Sequence, residues 1–331
     1  MNILMVTYIT GTGNYPLYTA DELTRLDNTV YLLPTDLNNQ SKSYQKLFRT
    51  GRHLGQIGRR ILKRQIHAYL SAHQIDVLLI YGSNYFLSPG LLRSIKRRGV
   101  KIALLEGNLN FAQKFQLAAI PFYDLIIVSD SYIVPFLRQI MGHTNVVYLT
   151  GWGVPSAFYP IEVTDDSREE YGDDVSFIGK WFANREEFLN SLNTLPKIWG
   201  GGWGHSSLPN KSDIKYLDPS KKSLVYCSSS INLHLRPGNQ QINGFSSRIW
   251  EVPLCGGFIL SEWSKDLLDL FNEDREIVVF RSPGEADTKI SHYLQRDEER
   301  MRIIERLRDK IMGNYLLEHT VAKINELLLK L

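Results

Sequence analysis

The chain has 331 residues, of which 43% are hydrophobic and 22% charged, so it is long enough for two folded domains with apolar cores. Its formal net charge of +3 is too small to indicate nucleic-acid binding by itself. The two cysteines exclude a disulfide framework, and no apolar run reaches the roughly 18 residues of a membrane helix. We therefore expect a cytoplasmic protein, which could still lie against a membrane surface.

The first half of the chain alternates short apolar runs with longer helical patterns. Strands are predicted at 2–7, 29–33, 76–81, 101–105, 124–128 and 145–149. Helices are predicted at 18–26, within 42–73, at 88–98 and at 131–141. This alternation indicates right-handed βαβ units around a parallel sheet.

The stretch 151–173 is rich in Gly, Pro and charged residues, which is typical of a linker, and the alternation then resumes. Strands are predicted at 174–178, 196–200, 230–234, 257–260 and 277–280. Helices are predicted at 185–193, 245–254, 264–272, 285–295, 297–312 and 315–330. The sequence therefore predicts an α/β protein of two Rossmann-like, doubly wound domains facing across a cleft. The expected bounds are a domain at 1–155, a linker at 156–173, a second domain at 174–314 and a last helix at 315–331.

A glycine-containing loop follows the first predicted strand. Gly11 and Gly13 would let the backbone approach a ligand, but Pro16 interrupts a full dinucleotide-binding GxGxxG pattern. The loop is either a ligand-binding turn or an ordinary tight turn between a strand and a helix.

Two further loops follow strands of the second predicted domain. Gly179 opens the first of them, and Lys180 and Arg185 could offset the charge of a diphosphate or be solvated surface residues. In the second, Gly201 leaves room beside the backbone, and Trp203 could stack on a base or sugar. The alternative is a flexible turn with a tryptophan that packs inward.

The richest segment spans residues 231–262. A buried strand carries Asn232 and His234, and a helix is predicted to begin near Ser247. Arg248 and the helix start could hold a diphosphate, and the Glu251 carboxylate could accept two hydrogen bonds from a ribose diol. An alternative is that Arg248 and Glu251, one turn apart, form a surface ion pair.

These segments resemble glycosyltransferases of the GT-B architecture, and more narrowly the spore-maturation CgeB-like glycosyltransferases of the group 1 superfamily. The resemblance covers about 123–331, and the first 120 residues fit by fold only. The segments that carry it are 123–130, 148–155, 174–179 with Arg185, 231–233, 247–257, 269–280 and His319 with Thr320.

The resemblance implies a role for several of these residues. Glu251 matches the glutamate that binds the nucleotide ribose, and Arg248 lies where the diphosphate is bound. Gly200 to Trp203 lie near the base-binding strand, and the last helix is expected to cross back to the first domain. Many group 1 enzymes carry another glutamate before this one, with seven residues between the two, and Asn243 stands in its place here.

Glycosyl transfer needs a group that polarises the acceptor hydroxyl or a carboxylate near the anomeric carbon. Glu106 and Asp130 each end a predicted strand of the first domain and are the candidate catalytic residues. Either carboxylate could instead cap a helix, and Asp130 stands directly before a predicted helix. His234 is a weaker candidate.

The resulting hypothesis is transfer of a sugar from a nucleotide diphosphate sugar, with UDP favoured, to an acceptor in the cleft. We expect neither a metal nor a cofactor, because helix dipoles and cations would stabilise the leaving diphosphate. Basic stretches at 49–64 and 93–101 are either solvated helix faces or a surface for a membrane or an anionic acceptor. The alternatives are a sugar-nucleotide epimerase of the same architecture, a catalytically silent sugar-nucleotide or glycan-binding module and, least favoured, a nucleic-acid binder.

Overall fold

The computed structural model describes residues 1–7, 14–34, 52–82, 87–106, 114–212, 214, 216–237 and 241–331. The chain forms two compact units. The first unit holds the described residues up to Thr150 together with Glu318–Leu331, and the second unit holds Gly151–Leu317.

The first unit is built on a parallel six-stranded sheet in the order β2-β1-β3-β4-β5-β6. Its strands are β1 Asn2–Thr7, β2 Thr29–Pro34, β3 Val77–Tyr81, β4 Lys101–Glu106, β5 Leu125–Val128 and β6 Val146–Tyr148. The described helices are Tyr15–Arg25, Arg52–Ala72, Pro89–Lys96, Lys114–Ala119 and Ile133–Pro135, with a 3₁₀ turn at Ile120–Phe122 and a π turn at Phe136–Ile140. All six predicted strands are confirmed to within about a residue at each end.

The last helix, Leu317–Leu329, belongs to the first unit from Glu318 onward. The Asn28 side-chain amide donates to the Asn325 amide oxygen at 2.9 Å, and the Thr320 hydroxyl donates to the Thr150 carbonyl at 3.2 Å. The C-terminal segment therefore packs with the N-terminal sheet.

The second unit is built on a parallel five-stranded sheet in the order β11-β10-β9-β7-β8. Its strands are β7 Val175–Ile178, β8 Lys197–Trp199, β9 Ile231–His234, β10 Ile259–Glu262 and β11 Val278–Phe280. Its described helices are Asp165–Tyr171, Ala183–Asn190, Pro219–Ser228, Arg248–Leu254, Lys265–Leu270, Pro283–Leu294 and Asp297–Asn314, with a 3₁₀ turn at Trp203–His205. The two-domain α/β prediction is thereby confirmed.

Two helices of the second unit were not predicted. Asp165–Tyr171 lies inside the stretch expected to be a linker, and it packs against Pro219–Ser228. Tyr171 is its one buried residue and stacks on Trp199. Such a short helix with one apolar anchor leaves no periodic hydrophobic pattern in the sequence.

Both sheets place their third strand beside the first, on the side opposite the second strand. The strand order across the sheet therefore changes direction between β1 and β3 in the first unit and between β7 and β9 in the second, although the strands are parallel. In open α/β sheets, ligands bind outside the carboxyl ends of the strands at such a switch point. In the second unit, this edge is formed by the residues that follow Ile178 and His234.

Close backbone contact joins the loops after β7 and β8. Gly179 donates its N–H to the Trp199 carbonyl at 2.9 Å, and Trp181 donates to the Gly201 carbonyl at 2.9 Å. Gly200 has a φ of +121°, and a Cβ added to it would lie 2.5 Å from the Gly179 carbonyl oxygen. Only glycine fits this position without displacing the neighbouring backbone.

The substitution Gly200→Ala is expected to lower the free energy of unfolding by about 2 kcal/mol, through unfavourable φ and a backbone clash. The urea denaturation midpoint measures the loss. Gly204→Ala is the matched control, because a Cβ there meets no atom within 4 Å. Equal midpoints for the two variants would contradict the close-approach argument.

Candidate functional site

The candidate site lies at the carboxyl edge of the second sheet. β9 ends at His234, and β10 ends at Glu262. The helix Arg248–Leu254 begins just beyond, and the helix Ala183–Asn190 brings Arg185 to the same place. Consequently, residues far apart in the sequence meet at one edge.

His234 lies at the centre of this site and is 0% exposed. Its Nδ1 lies 2.9 Å from the Ser261 hydroxyl, and its Nε2 lies 2.8 Å from the Ser246 hydroxyl. Burial, followed by the charges of Arg248, Arg185 and Arg236, holds the pKa of His234 well below its usual 6.5. The imidazole is therefore neutral at physiological pH and is held rigidly between two hydroxyls.

Arg185 is buried and ties the two strands of the switch point together. Its Nη1 donates to the Lys180 carbonyl after β7 at 2.8 Å, and its Nη2 donates to the Leu235 carbonyl after β9 at 2.7 Å. Burial first, and then the charge of Arg248, lower the pKa of Arg185 to about 9, against an opposing effect of Glu262. Each terminal nitrogen thus uses one N–H to hold the fold, and the guanidinium adds positive charge to the site.

The other two arginines differ in how they are neutralised. Arg236 donates from Nη2 to the Glu262 carboxylate at 3.0 Å and from Nη1 to the Ile242 carbonyl at 2.7 Å. Arg248 is half-buried, and its side chain makes no hydrogen bond or ion pair with the described residues, whereas a buried Nε without a partner is common to all three arginines. Arg248 is therefore the cation best placed to bind an anion.

Glu251 is 0% exposed and is held by three side chains. Tyr226 donates to Oε2 at 2.8 Å, Ser247 donates to Oε1 at 2.7 Å, and the Lys222 ammonium lies 3.3 Å from Oε2. Burial would raise the pKa of Glu251, but Lys222, the two hydroxyls and Arg248 together outweigh it and hold the pKa below the usual 4.5. A fully enclosed carboxylate reaches a ribose diol only if one of these donors moves, so the ribose role stays a prediction.

Two predicted ligand residues belong to the interior instead. Trp203 is 3% exposed, donates its indole N–H to the Gly179 carbonyl at 2.8 Å and packs edge-on against Phe177. Asn232 is buried, accepts from Ser176 and donates to the carbonyls of Tyr226 and Phe258. Neither side chain is available to a ligand, the Trp203 ring for stacking or the Asn232 amide for hydrogen bonding, because each is used within the fold.

The remaining predicted residues of the second unit lie near the same edge. Lys180 is exposed after β7, Gly179 is buried, and the Gly201 carbonyl is bonded to Trp181. The Asn243 carbonyl accepts the Asp266 N–H at 3.1 Å. The predictions for Gly11 and Gly13 lie outside the described residues.

The two candidate catalytic carboxylates both lie in the first unit. Glu106 ends β4 and is buried. Burial raises the pKa of Tyr81 and of Tyr123, and the Glu106 charge raises both further, so Glu106 lies close to both phenols. Asp130 is buried, and its Oδ1 accepts the Tyr132 N–H at 3.0 Å, a local turn contact that precedes the helix Ile133–Pro135, whose N-cap Tyr132 makes no side-chain capping bond.

Sequence reasoning missed four side chains that hold the site. Tyr226 and Lys222 lie on a helix that was not predicted, one turn apart, so that both reach Glu251. Ser261 and Glu262 complete the contacts of His234 and Arg236. No local motif marks these residues, since each partner lies on another element.

Within the part of the chain that the structure describes, no group of three or more His, Cys, Asp or Glu residues could hold a metal ion. Among the described helices, none combines the length and the apolar character needed to cross a membrane.

The substitution Lys222→Met is expected to destabilise the protein by about 3 kcal/mol at neutral pH, because it leaves a buried carboxylate unpaired. Glu251 has a depressed folded-state pKa, so its contribution is fully present above pH 4.5 and is lost as the pH falls below that value. In the variant, protonation of Glu251 relieves the unpaired charge, so the difference from the wild type should shrink as the pH falls. Chemical denaturation between pH 7 and 4 measures it.

Lys221→Met is the matched control, since Lys221 is exposed and adjacent in the sequence. A pH-independent loss in Lys222→Met, or an equal loss in the control, would contradict the buried ion pair.

Comparison with known proteins relates this site to one family. Residues 185–326 match the family model described as glycosyl transferase-like, and this range contains Arg185, His234, Arg248 and Glu251. No curated protein matches the chain.

Solved structures with the same fold cover the chain from end to end. Sucrose-phosphate synthase from Thermosynechococcus elongatus superposes with a TM-score of 0.74 at 11% identity, covering 100% of this chain and 99% of that one. HepE from Anabaena in complex with UDP-glucose gives 0.67 at 12% identity and 100% coverage of both chains. A glycosyltransferase from Rickettsia africae gives 0.65 at 12% identity, with 99% and 98% coverage. The two parallel-sheet units therefore have the GT-B fold of glycosyltransferases.

Proposed function

We propose that this protein transfers a sugar from a UDP-type nucleotide diphosphate sugar to an acceptor hydroxyl, without a metal ion or cofactor. The observation that carries the proposal is the cluster of Arg185, Arg236 and Arg248 around the neutral His234 at the β7–β9 switch point. A glycosyl transferase-like family model over the same residues supports it, as does the resemblance to CgeB-like enzymes. The structures of HepE from Anabaena in complex with UDP and with UDP-glucose, which have this fold, support the choice of nucleotide.

The charges of the site suit a diphosphate. Glu262 is paired with Arg236, and Glu251 is paired with Lys222, whereas Arg185 bonds only to uncharged carbonyls among its described hydrogen bonds. Arg185 and Arg248 therefore leave an excess of positive charge. Fixed cations that face the oxygens where negative charge develops stabilise a departing diphosphate, and this is the role that a metal ion plays in other transferases.

In the proposed reaction, the acceptor oxygen bonds to the anomeric carbon as the bond from that carbon to the diphosphate breaks. A base must take the acceptor proton, and Glu106 is our candidate because it is a buried carboxylate at a strand end. Asp130 is the alternative, although one of its oxygens already accepts a backbone N–H.

The substitution Arg248→Gln is expected to weaken UDP binding about ten- to a hundredfold, because it removes a charge-assisted contact to the diphosphate. Isothermal titration calorimetry in EDTA and in Mg²⁺ measures the affinity, and equal wild-type values are expected in both. Arg306→Gln, at an exposed helix position, serves as the control.

Unchanged UDP affinity in Arg248→Gln would argue against this diphosphate site. Product analysis with UDP-glucose separates the alternatives: an epimerase converts the donor without an acceptor, and a silent binding module leaves it intact. Absence of binding by UDP and every other nucleoside diphosphate would sink the donor-site proposal.

The first unit carries a separate basic face on the helix Arg52–Ala72. Arg60, Lys63, Arg64, His67 and Ser71 line a surface pocket. Burial, followed by the charges of Arg98 and Lys63, lowers the pKa of His67, which places Arg98 beside the pocket. We propose that this face makes a peripheral contact with anionic lipid, because clustered basic side chains are attracted to such surfaces.

The triple substitution Arg60→Gln, Lys63→Gln and Arg64→Gln is expected to weaken binding to phosphatidylglycerol vesicles about a hundredfold, at about 1 kcal/mol per charge. Co-sedimentation with phosphatidylglycerol and with phosphatidylcholine vesicles measures it. Arg302→Gln, Arg306→Gln and Lys330→Gln together remove the same charge from exposed positions elsewhere. An equal loss in both triples would mean that net charge, and not this face, governs binding.

A further inference from the structure

A chain of three hydrogen bonds runs inward from the donor site. It links the Ser246 hydroxyl to His234 Nε2 at 2.8 Å and His234 Nδ1 to the Ser261 hydroxyl at 2.9 Å. The Ser261 hydroxyl then donates to the Glu262 carbonyl at 2.9 Å. His234 and Ser261 are direct neighbours across β9 and β10.

The last bond fixes the direction of the other two. All three bonds form together in only one arrangement: the Glu262 carbonyl accepts the single proton of Ser261, and the Ser261 oxygen accepts from His234 Nδ1–H. The imidazole is neutral, so its Nε2 then carries no proton and must accept from Ser246. Ser246 therefore points its only proton inward.

The neighbouring hydroxyl is oriented in the same way by a different group. Ser247 lies 2.7 Å from the Glu251 carboxylate, which is ionised and can only accept. The proton of Ser247 is therefore also directed into the protein. Both serines are half-buried, and each retains only oxygen lone pairs for a ligand.

We propose that Ser246 and Ser247 form a subsite that accepts hydrogen bonds from two sugar hydroxyls of the donor, and that His234, Ser261 and Glu251 are its positioning residues. The proposal rests on the proposed function, since it assumes that a nucleotide sugar binds here. The group that the two serines would bind is a vicinal diol, and both the ribose and the transferred sugar of the donor carry one.

The two serines are poorly suited to the diphosphate itself. Phosphate oxygens are acceptors, and an acceptor-only hydroxyl offers them no proton. Arg248 is the next residue and supplies donors and positive charge. Of these three consecutive residues, Ser246 and Ser247 thus bind hydroxyl groups of the donor, and Arg248 binds its phosphates.

Calorimetric affinities for UDP, 2′,3′-dideoxy-UDP and UDP-glucose test the subsite in the wild type and in the double variant Ser246→Ala, Ser247→Ala. If the diol is the ribose, the wild type should bind UDP about three- to tenfold more tightly than dideoxy-UDP, and the double variant should lose this preference. If the diol is that of the transferred sugar, the variant should instead lose its preference for UDP-glucose over UDP. Ser291→Ala, on an exposed helix face, is the control.

Ser261→Ala tests the positioning role. Without the Ser261 oxygen, the imidazole can place its proton on Nε2 and turn the Ser246 proton outward. The preference for the ligand that carries the diol should fall. The affinity for the ligand that lacks it, dideoxy-UDP for a ribose diol or UDP for a diol of the transferred sugar, should be retained. Ser261→Thr, which keeps the hydroxyl, should restore the preference. A purely structural role would weaken all three ligands equally.

Binding of UDP by the wild type with both preferences intact in the double variant would overturn the subsite alone. Failure of the wild type to bind any nucleoside diphosphate would instead defeat the proposed function, and this subsite with it.

Discussion

The candidate site depends on one buried guanidinium that bridges two strands. Arg185 donates to backbone carbonyls that follow β7 and β9, the strands on either side of the switch point. Because carbonyls are dipoles and not charges, this bridge fixes the geometry of the edge without neutralising the arginine. Burial first, and then the charges of Arg248, Arg185 and Arg236, lower the pKa of His234. Arg248, at the start of its helix, has no ion-pair partner among the described residues.

The two carboxylates of this edge are kept from cancelling that charge. Glu262 pairs with Arg236, and Glu251 pairs with Lys222 from another helix. A buried ion pair is a weak source of stability, but it is costly to break, so the pair with Lys222 holds the Glu251 carboxylate in a fixed orientation. Glu251 consequently orients Ser247, while the neutral His234 orients Ser246. Charge pairing thus determines which hydrogen-bonding groups are presented to a ligand.

Burial explains why several residues that look like ligands are structural. The loop after β8 approaches the Gly179 carbonyl so closely that Gly200 has no room for a side chain, and the Trp203 indole turns inward to bond the same oxygen. Asn232 alternates along β9 onto the face that meets the helix Pro219–Ser228, where its amide closes three hydrogen bonds. In both cases, a side chain that resembles a ligand-binding group is used within the fold.

The sequence by itself determined the two parallel sheets and the segment that carries Arg248 and Glu251, because strand periodicity, glycine turns and a helix start are local signals. It could not decide which way side chains point, so it did not show that Trp203 and Asn232 are buried and hydrogen-bonded within the fold. It also could not find Lys222, Tyr226 or Ser261, whose partners lie between 25 and 29 residues away. Tertiary structure decided these contacts, since only the folding of parallel strands brings their carboxyl ends to one edge.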